Sequence, residues 1–150
     1  MPDMNSITKE DVEGLKVVTL LNSNALDEYQ RLATKTAIYP GCGTPLGLMY
    51  VALKMNGEAG EFAEHVGKAM RDDGLGNGLY YDNGVVQDGG HGLTSQRHLA
   101  LVKEVGDVLW YLSAACNELG IKLSDVAVTN LEKLQSRTER GKLSGSGDNR

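Results

Sequence analysis

Two acidic segments with the same internal spacing constrain this 150-residue chain more than any other feature. Glu58 and Glu61 are the charged residues of the first segment, and Glu104 and Asp107 are those of the second. Because each pair is three residues apart, both carboxylates of a pair share one face of an α-helix, with Cβ atoms about 5–6 Å apart. Four carboxylates gathered at one place repel one another unless a cation neutralises them. The sequence therefore predicts two helices that bring these segments together around a hard divalent metal ion.

Apolar residues at helical spacing, with capping signals between them, predict an all-α fold, a helical bundle. Helices are predicted over about 9–21, from Asn24 to about Tyr39, from Pro45 to about 72, from Thr94 or Ser95 to about Leu119, and from Ser124 to about Arg140. Pro40-Gly41, Gly120 and Gly141 supply the expected stops.

The segment 73–93 interrupts the helical pattern. Seven of the 19 glycines fall between residues 74 and 92. Leu79-Tyr80-Tyr81-Asp82 and Val85-Val86-Gln87 on either side of Asn83-Gly84 predict a small β-hairpin over about 79–87, because Asn-Gly supports a type I′ turn. We expect a single domain over 1–150, with a core of about 25–143, an N-terminal extension over 1–23, this glycine-rich insertion and a flexible tail over 144–150.

Composition excludes several classes of protein. The formal net charge of −5 disfavours a nucleic-acid binder, which usually presents a basic face. The N-terminus is polar and acidic, unlike a signal peptide, and charges break every apolar run well short of a membrane span. Cys42 and Cys116 lie in unlike contexts, which favours reduced thiols. The expected location is the cytoplasm, or the host cytoplasm for a phage-encoded protein.

Winding the helices at about 100° per residue aligns further polar side chains with the acidic pairs. Three helices each carry a polar stripe at one edge of their apolar face, and the stripes contain Glu58, Glu61, His65, Lys68, Glu104, Asp107, Tyr111, Asn130, Lys133 and Arg137. One acidic pair alone is more often a solvated surface, and a lone histidine is more often satisfied or exposed than a ligand. Two pairs that border apolar stripes, beside a basic stripe, favour a cleft between the helices.

The donor atoms restrict the metal and the chemistry. A site built only from carboxylates suits Mg²⁺ or Mn²⁺. A di-iron bundle would need Glu-x-x-His pairs, and a zinc or redox site would need a pattern such as Cys-x-x-Cys; the sequence contains neither. The remaining interpretation is metal-bridged binding of a phosphorylated small molecule, with Lys133 and Arg137 at phosphate oxygens.

At these residues the sequence resembles the all-α nucleoside triphosphate pyrophosphohydrolases, and in particular the MazG-like branch with its small single-domain forms in bacteria and phages. Residues 57–64, 104–112 and 130–137 carry the resemblance, which extends over roughly 25–143. It implies an all-α bundle that forms a homodimer or homotetramer. It also implies hydrolysis of a nucleoside triphosphate between the α- and β-phosphates, which yields the monophosphate and pyrophosphate.

The resemblance implies a role for each stripe. The Mg²⁺ ligands, for which Mn²⁺ can substitute, would be Glu58, Glu61, Glu104 and Asp107. One of these carboxylates, on the first pair's helix, would also orient or deprotonate the attacking water. Asn130, Lys133 and Arg137 would hold phosphates, Tyr111 would lie near the sugar or base, and Lys68 is a weaker phosphate candidate.

The substrate is the least constrained part of this interpretation. The residues that recognise the base could be Gln30, Thr34 or residues of the loop 39–46. A purine deoxynucleotide such as dGTP is one hypothesis for the substrate. The 42 residues between Glu61 and Glu104 exceed the family's usual spacing, and the insertion accounts for the excess. The alternatives are a phosphoribosyl-ATP pyrophosphohydrolase and a non-enzymatic helical regulator that binds metal or nucleotide.

Overall fold

The structure, a computed structural model, describes residues 24–76, 79–82, 85–88 and 92–141. Within this part the chain forms four α-helices: α1 (Asn24–Ala33), α2 (Pro45–Asp72), α3 (Ser95–Glu118) and α4 (Leu123–Glu139). The predicted all-α class is confirmed. The predicted helix over 9–21 and the tail over 144–150 lie outside the described residues. None of the described helices has the length and apolar character needed to cross a membrane.

The long helices α2 and α3 begin and end where the sequence predicts. Pro45 occupies the first turn of α2, where its missing N–H costs no hydrogen bond. The hydroxyl of Thr94 caps α3 by accepting a hydrogen bond from the backbone N–H of Arg97 at 3.2 Å. Gly120 follows α3 with a φ of 66°, the left-handed conformation that glycine adopts without strain. Local signals therefore suffice to set both helices.

The prediction that α1 continues to about Tyr39 is wrong at its C-terminal end. The α-helix stops at Ala33, a 3₁₀ turn covers Thr34–Thr36, and Ala37 is already extended with a ψ of 101°. The indole N–H of Trp110 donates to the carbonyl of Ala33 at 3.2 Å and to the hydroxyl of Thr36 at 2.9 Å. A side chain far along the chain thus satisfies the carbonyl of Ala33, which a longer helix would have paired internally.

The N-terminus of α4 is capped by side chains of α1. The Gln30 amide oxygen accepts from the N–H of Leu123 at 2.7 Å, while its NH₂ group donates to the carbonyl of Ile121 at 3.0 Å. Asp27 accepts from the N–H of Ser124 at 3.2 Å, and hydrogen bonding from the Ser124 side chain, with a smaller contribution from this backbone contact, lowers the pKa of Asp27. Ser124, predicted as the cap, lies inside a helix that begins at Leu123. Gln30 is therefore engaged in holding α1 to α4.

A small aromatic core joins the loop between α1 and α2 to α2 and α3. Tyr39 is buried beside Val51 and Ala114. Its ring stacks on Tyr50 at a centroid distance of 5.6 Å and meets Trp110 edge-on at 6.1 Å. This core fixes how α2 and α3 lie along one another.

Two short strands follow α2 in the glycine-rich segment: β1 (Leu79–Asp82) and β2 (Val85–Asp88). They pair antiparallel, with Leu79 opposite Asp88 and Asp82 opposite Val85. The predicted turn residues, Asn83 and Gly84, lie outside the described residues.

Candidate active site

The middle turns of α2 and α3 bring together three carboxylates. Glu58 and Glu61 of α2 and Glu104 of α3 each offer an oxygen, and these three oxygens all lie within 4.8 Å of one another. We call these three residues the carboxylate cluster. Asp107, predicted as a fourth member, lies on α3 with its side chain exposed and is not part of this group.

Two of the three carboxylates in the cluster are poorly hydrated, and the third, Glu61, is exposed. The side chains of Glu58 and Glu104 are only 14% and 12% exposed. Two groups lie close enough to offset them: Lys54 Nζ is 3.6 Å from Glu58 Oε1, and His65 Nε2 is 3.6 Å from Glu104 Oε1. Like charges held close together at low hydration favour binding of a cation.

The donor set of the carboxylate cluster fits a hard divalent ion. Carboxylate oxygens are the ligands that Mg²⁺ and Mn²⁺ prefer. The three oxygens lie within 4.8 Å of one another, close to the limit of about 4.2 Å that Mg²⁺–oxygen distances of about 2.0–2.1 Å set, so small side-chain rotations would let all three contact a single ion. The i,i+3 spacing of Glu58 and Glu61 supplies two of them from one helix face. The residues present therefore fit a divalent cation.

Tyr111 of α3 lies near Lys54 and Glu58, at one end of the cluster. It is half-buried, and its ring meets Trp110 edge-on at a centroid distance of 4.8 Å. Burial raises the pKa of Tyr111; the charge of Lys54 opposes this shift, and the charges of Glu58 and Asp107 add to it. The Tyr111 hydroxyl thus shares the electrostatic environment of the carboxylates, which agrees with a place in a cleft wall.

His65 lies at the opposite end of the cluster from Lys54. Its Nδ1 atom is buried and has no hydrogen-bond partner among the described residues. The ring lines a small cavity of about 160 Å³ together with Asp73 and Arg97. Arg97 Nε donates to Asp73 Oδ2 at 2.8 Å among the lining residues of this cavity. The imidazole therefore lies next to both Glu104 and a small polar cavity.

The predicted phosphate-binding residues Asn130, Lys133 and Arg137 lie on α4. Asn130 and Lys133 line an open groove of about 530 Å³, whose other described lining residues are Ile121, Asp125, Val126 and Thr129. Those residues include no member of the carboxylate cluster. Arg137 is only 6% exposed. Helix winding predicts these three residues on one stripe, and Asn130 and Lys133 share one groove.

Lys68 continues the stripe of α2 beyond His65. Its Nζ lies 2.6 Å from Glu64 Oε1, and this contact lowers the pKa of Glu64. Lys54, at the other end of the cluster, was not singled out from the sequence. The available signal was its position four residues before Glu58, which places it on the same helix face.

Comparison with known proteins adds an independent line of argument. The sequence model of the MazG nucleotide pyrophosphohydrolase domain matches residues 50–141, which include both acidic segments and the stripe of α4. The "Gene 37 protein" of Mycobacterium phage L5 is 43% identical over 129 residues, which cover 83% of this chain and 98% of that protein. No solved structure matches the chain. The chain therefore belongs to the MazG nucleotide pyrophosphohydrolase family and is a nucleoside triphosphate pyrophosphohydrolase.

Proposed function

We propose that this protein hydrolyses a nucleoside or deoxynucleoside triphosphate to the monophosphate and pyrophosphate in a Mg²⁺-dependent reaction that controls a nucleotide pool. The carboxylate cluster is the observation that carries this proposal, because its three oxygens lie within 4.8 Å of one another on two facing helices. The reacting unit is one domain with a core of about 25–143, which contains the whole region of family similarity.

In this proposal Glu58, Glu61 and Glu104 hold Mg²⁺, and Mn²⁺ can replace it. Asp107, one turn beyond Glu104 on α3, is the fourth ligand and reaches the ion by a change of side-chain conformation. The ion supplies charge neutralisation at the phosphate oxygens and lowers the pKa of a bound water. Lys54 and His65, which contact the cluster, are the side chains that ion binding releases from their carboxylates.

The chain's own residues then position the water and the substrate. A carboxylate of the Glu58 and Glu61 pair orients the attacking water and takes its proton. Glu61 is the more exposed of the two, so it is our choice for this role. Tyr111, in the cleft wall, faces the sugar or base.

Basic residues outside the cluster complete the proposed substrate site. Asn130, Lys133 and Arg137 of α4 hold phosphates, with Lys68 of α2 as a further contact. In one chain the groove of Asn130 and Lys133 is separate from the carboxylate cluster, so this role requires α4 to approach the cluster when substrate binds or to serve another subunit.

A turnover panel tests the reaction and the substrate together. The protein is incubated with Mg²⁺ and each of the four ribonucleoside and four deoxynucleoside triphosphates, and the products are identified by ³¹P NMR. We expect monophosphate and pyrophosphate, with the fastest turnover for a purine deoxynucleotide such as dGTP. Formation of diphosphate and phosphate, or no turnover of any nucleotide, contradicts the proposal.

We further propose that a second copy of the chain covers an apolar face of α2, giving a homodimer or a homotetramer. Leu46, Met49 and Leu53 follow one another at helical spacing and are all exposed, Leu53 by 75%; Met70 is exposed near the other end of α2. Gly60 lies on the same side of the helix as Leu53, and a Cβ built there meets nothing within 4 Å. Exposed large apolar side chains grouped in this way are typical of a protein interface.

Light scattering coupled to gel filtration tests the assembly. We expect the mass of two or four chains for the wild type and a lower mass for Leu53→Glu, because a charge at the centre of the face must be desolvated on association. Asn117→Glu, an exposed position near the end of α3, is the matched control. A monomeric wild-type protein contradicts this assembly.

A further inference from the structure

Lys54 lies at one end of the carboxylate cluster, and its ammonium forms only a long ion pair there. Its Nζ is 3.6 Å from Glu58 Oε1, a distance at which the ion pair lacks a good hydrogen bond. The side chain is 45% exposed, so the ammonium is accessible from solvent. The ordinary pKa of a lysine lies well above neutrality, so Lys54 carries a positive charge at pH 7.

The position of Lys54 follows from the winding of α2. It is one turn before Glu58, on the side of the cluster opposite to His65. Tyr111 of α3 and Tyr50, one turn earlier on α2, lie near enough to interact electrostatically with it. The ammonium thus lies near a carboxylate and two tyrosine side chains.

A divalent ion at the cluster would change which anion the Lys54 ammonium binds. Once two positive charges lie beside Glu58, the lysine no longer gains from that carboxylate and is repelled by the ion. A triphosphate bound to the same ion brings non-bridging oxygens close to the cluster, and a lysine ammonium binds phosphate oxygens through charge-assisted hydrogen bonds. The flexible four-carbon side chain permits the move from one anion to the other.

We propose that Lys54 is a substrate-binding residue, which leaves Glu58 when the divalent ion binds and donates to a non-bridging oxygen of the substrate's triphosphate. This inference rests on the proposed function, because it requires the ion and the triphosphate to meet at the carboxylate cluster. It assigns to the α2 helix a phosphate contact of its own, in addition to those proposed for α4.

Calorimetric titrations of the full chain test the inference with two probes. The first probe is Mg²⁺ alone, and the second is inorganic triphosphate in the presence of Mg²⁺, which avoids any dependence on the base. The proteins compared are the wild type, Lys54→Met, Lys54→Arg and Lys103→Met. Lys103→Met is the matched control because Lys103 is exposed, adjoins Glu104 in sequence and loses the same charge. Circular dichroism verifies that each variant is folded.

We expect Lys54→Met to bind inorganic triphosphate about tenfold more weakly than the wild type, as the loss of one charged hydrogen bond predicts. Its affinity for Mg²⁺ alone should be unchanged or higher, since a positive charge beside Glu58 has been removed. Lys54→Arg should retain most of the triphosphate affinity, and Lys103→Met should resemble the wild type.

Three results would overturn the inference. The first is an unchanged triphosphate affinity in Lys54→Met, and the second is an equal loss in Lys103→Met. The third is a parallel loss of Mg²⁺ affinity in Lys54→Met, which would show that Lys54 only holds the carboxylates in place. A wild-type protein that binds neither probe removes the proposed metal site and this inference with it. A wild type that binds both, beside an unaffected Lys54→Met, removes this inference alone.

Discussion

Replacing Glu118 with glutamine removes the charge that fastens the loop between α1 and α2 to the end of α3. The Glu118 carboxylate accepts a hydrogen bond from the hydroxyl of buried Tyr39 and another from the backbone N–H of Gly43 at 3.0 Å. Tyr39 in turn stacks on Tyr50 and meets Trp110, so the same carboxylate fixes the aromatic core. We expect Glu118→Gln to destabilise the fold without touching the carboxylate cluster.

The expected loss of unfolding free energy in Glu118→Gln follows from the type of the two hydrogen bonds. A hydrogen bond to a charged group contributes about 1.5–3 kcal/mol and a neutral one about 0.5–1.5 kcal/mol, so each bond loses about 1 kcal/mol. Because Gly43 is exposed and its contact is screened, the expected loss of unfolding free energy is about 1–2 kcal/mol. The hydrogen bond from Tyr39 lowers the pKa of Glu118 below the ordinary 4.5.

The pH dependence of this loss has a definite sign. A carboxyl group whose pKa is lowered in the folded state contributes stability that is fully present above its unfolded pKa. That contribution disappears as the pH falls through the folded pKa, where Glu118 becomes protonated and resembles glutamine. The difference between wild type and Glu118→Gln should therefore be full at pH 7 and fade below pH 4.5.

Urea unfolding followed by circular dichroism from pH 7 to pH 3, at one fixed protein concentration, measures this difference. Glu132→Gln, an exposed position on α4, is the matched control and should leave the unfolding free energy nearly unchanged. A loss below about 0.5 kcal/mol at pH 7, or a loss of the same size at pH 3, would refute the reasoning from charged hydrogen bonds.

Two further substitutions test the packing that positions the site. Gly47→Ala should cost about 1–3 kcal/mol of unfolding free energy, because a Cβ there would lie 2.5 Å from the backbone oxygen of Gly41, which no side-chain rotation relieves; urea unfolding measures it. Gln30→Ala should cost about 1–2 kcal/mol, because it removes the cap at Leu123, and hydrogen exchange should show earlier opening of the first turn of α4. An unchanged unfolding free energy in either variant contradicts the corresponding contact.

Features with local sequence signals were predictable in this chain. Pro45, Thr94 and Gly120 mark the ends of α2 and α3, and the structure has those ends where the signals place them. The i,i+3 spacing was enough to place Glu58 and Glu61 on one face, and their meeting with Glu104 is observed. The spacing of apolar residues and the capping signals were therefore enough to predict the two helices that carry the candidate site.

Features that depend on distant partners were not predictable. The end of α1 is set by Trp110, which is 77 residues from Ala33. Glu118 shares a helical stripe with Asp107, yet it binds a loop 75 residues away. Arg137 shares a stripe with Lys133 but is buried, because helix winding fixes the direction of a side chain and not what packs against it. The sequence did not predict a role for Lys54, because a lone lysine on a helix is most often a surface residue.

The central claim is that the carboxylate cluster holds the divalent ion required for cleavage between the α- and β-phosphates. Its most direct test is the rate of pyrophosphate release as a function of Mg²⁺ concentration, for the wild type and for Glu61→Gln, with circular dichroism to verify the fold of both. We predict a saturable Mg²⁺ dependence with no turnover in EDTA, and a loss of more than about 100-fold in Glu61→Gln. Turnover in EDTA, or a wild-type rate in Glu61→Gln, would contradict the claim.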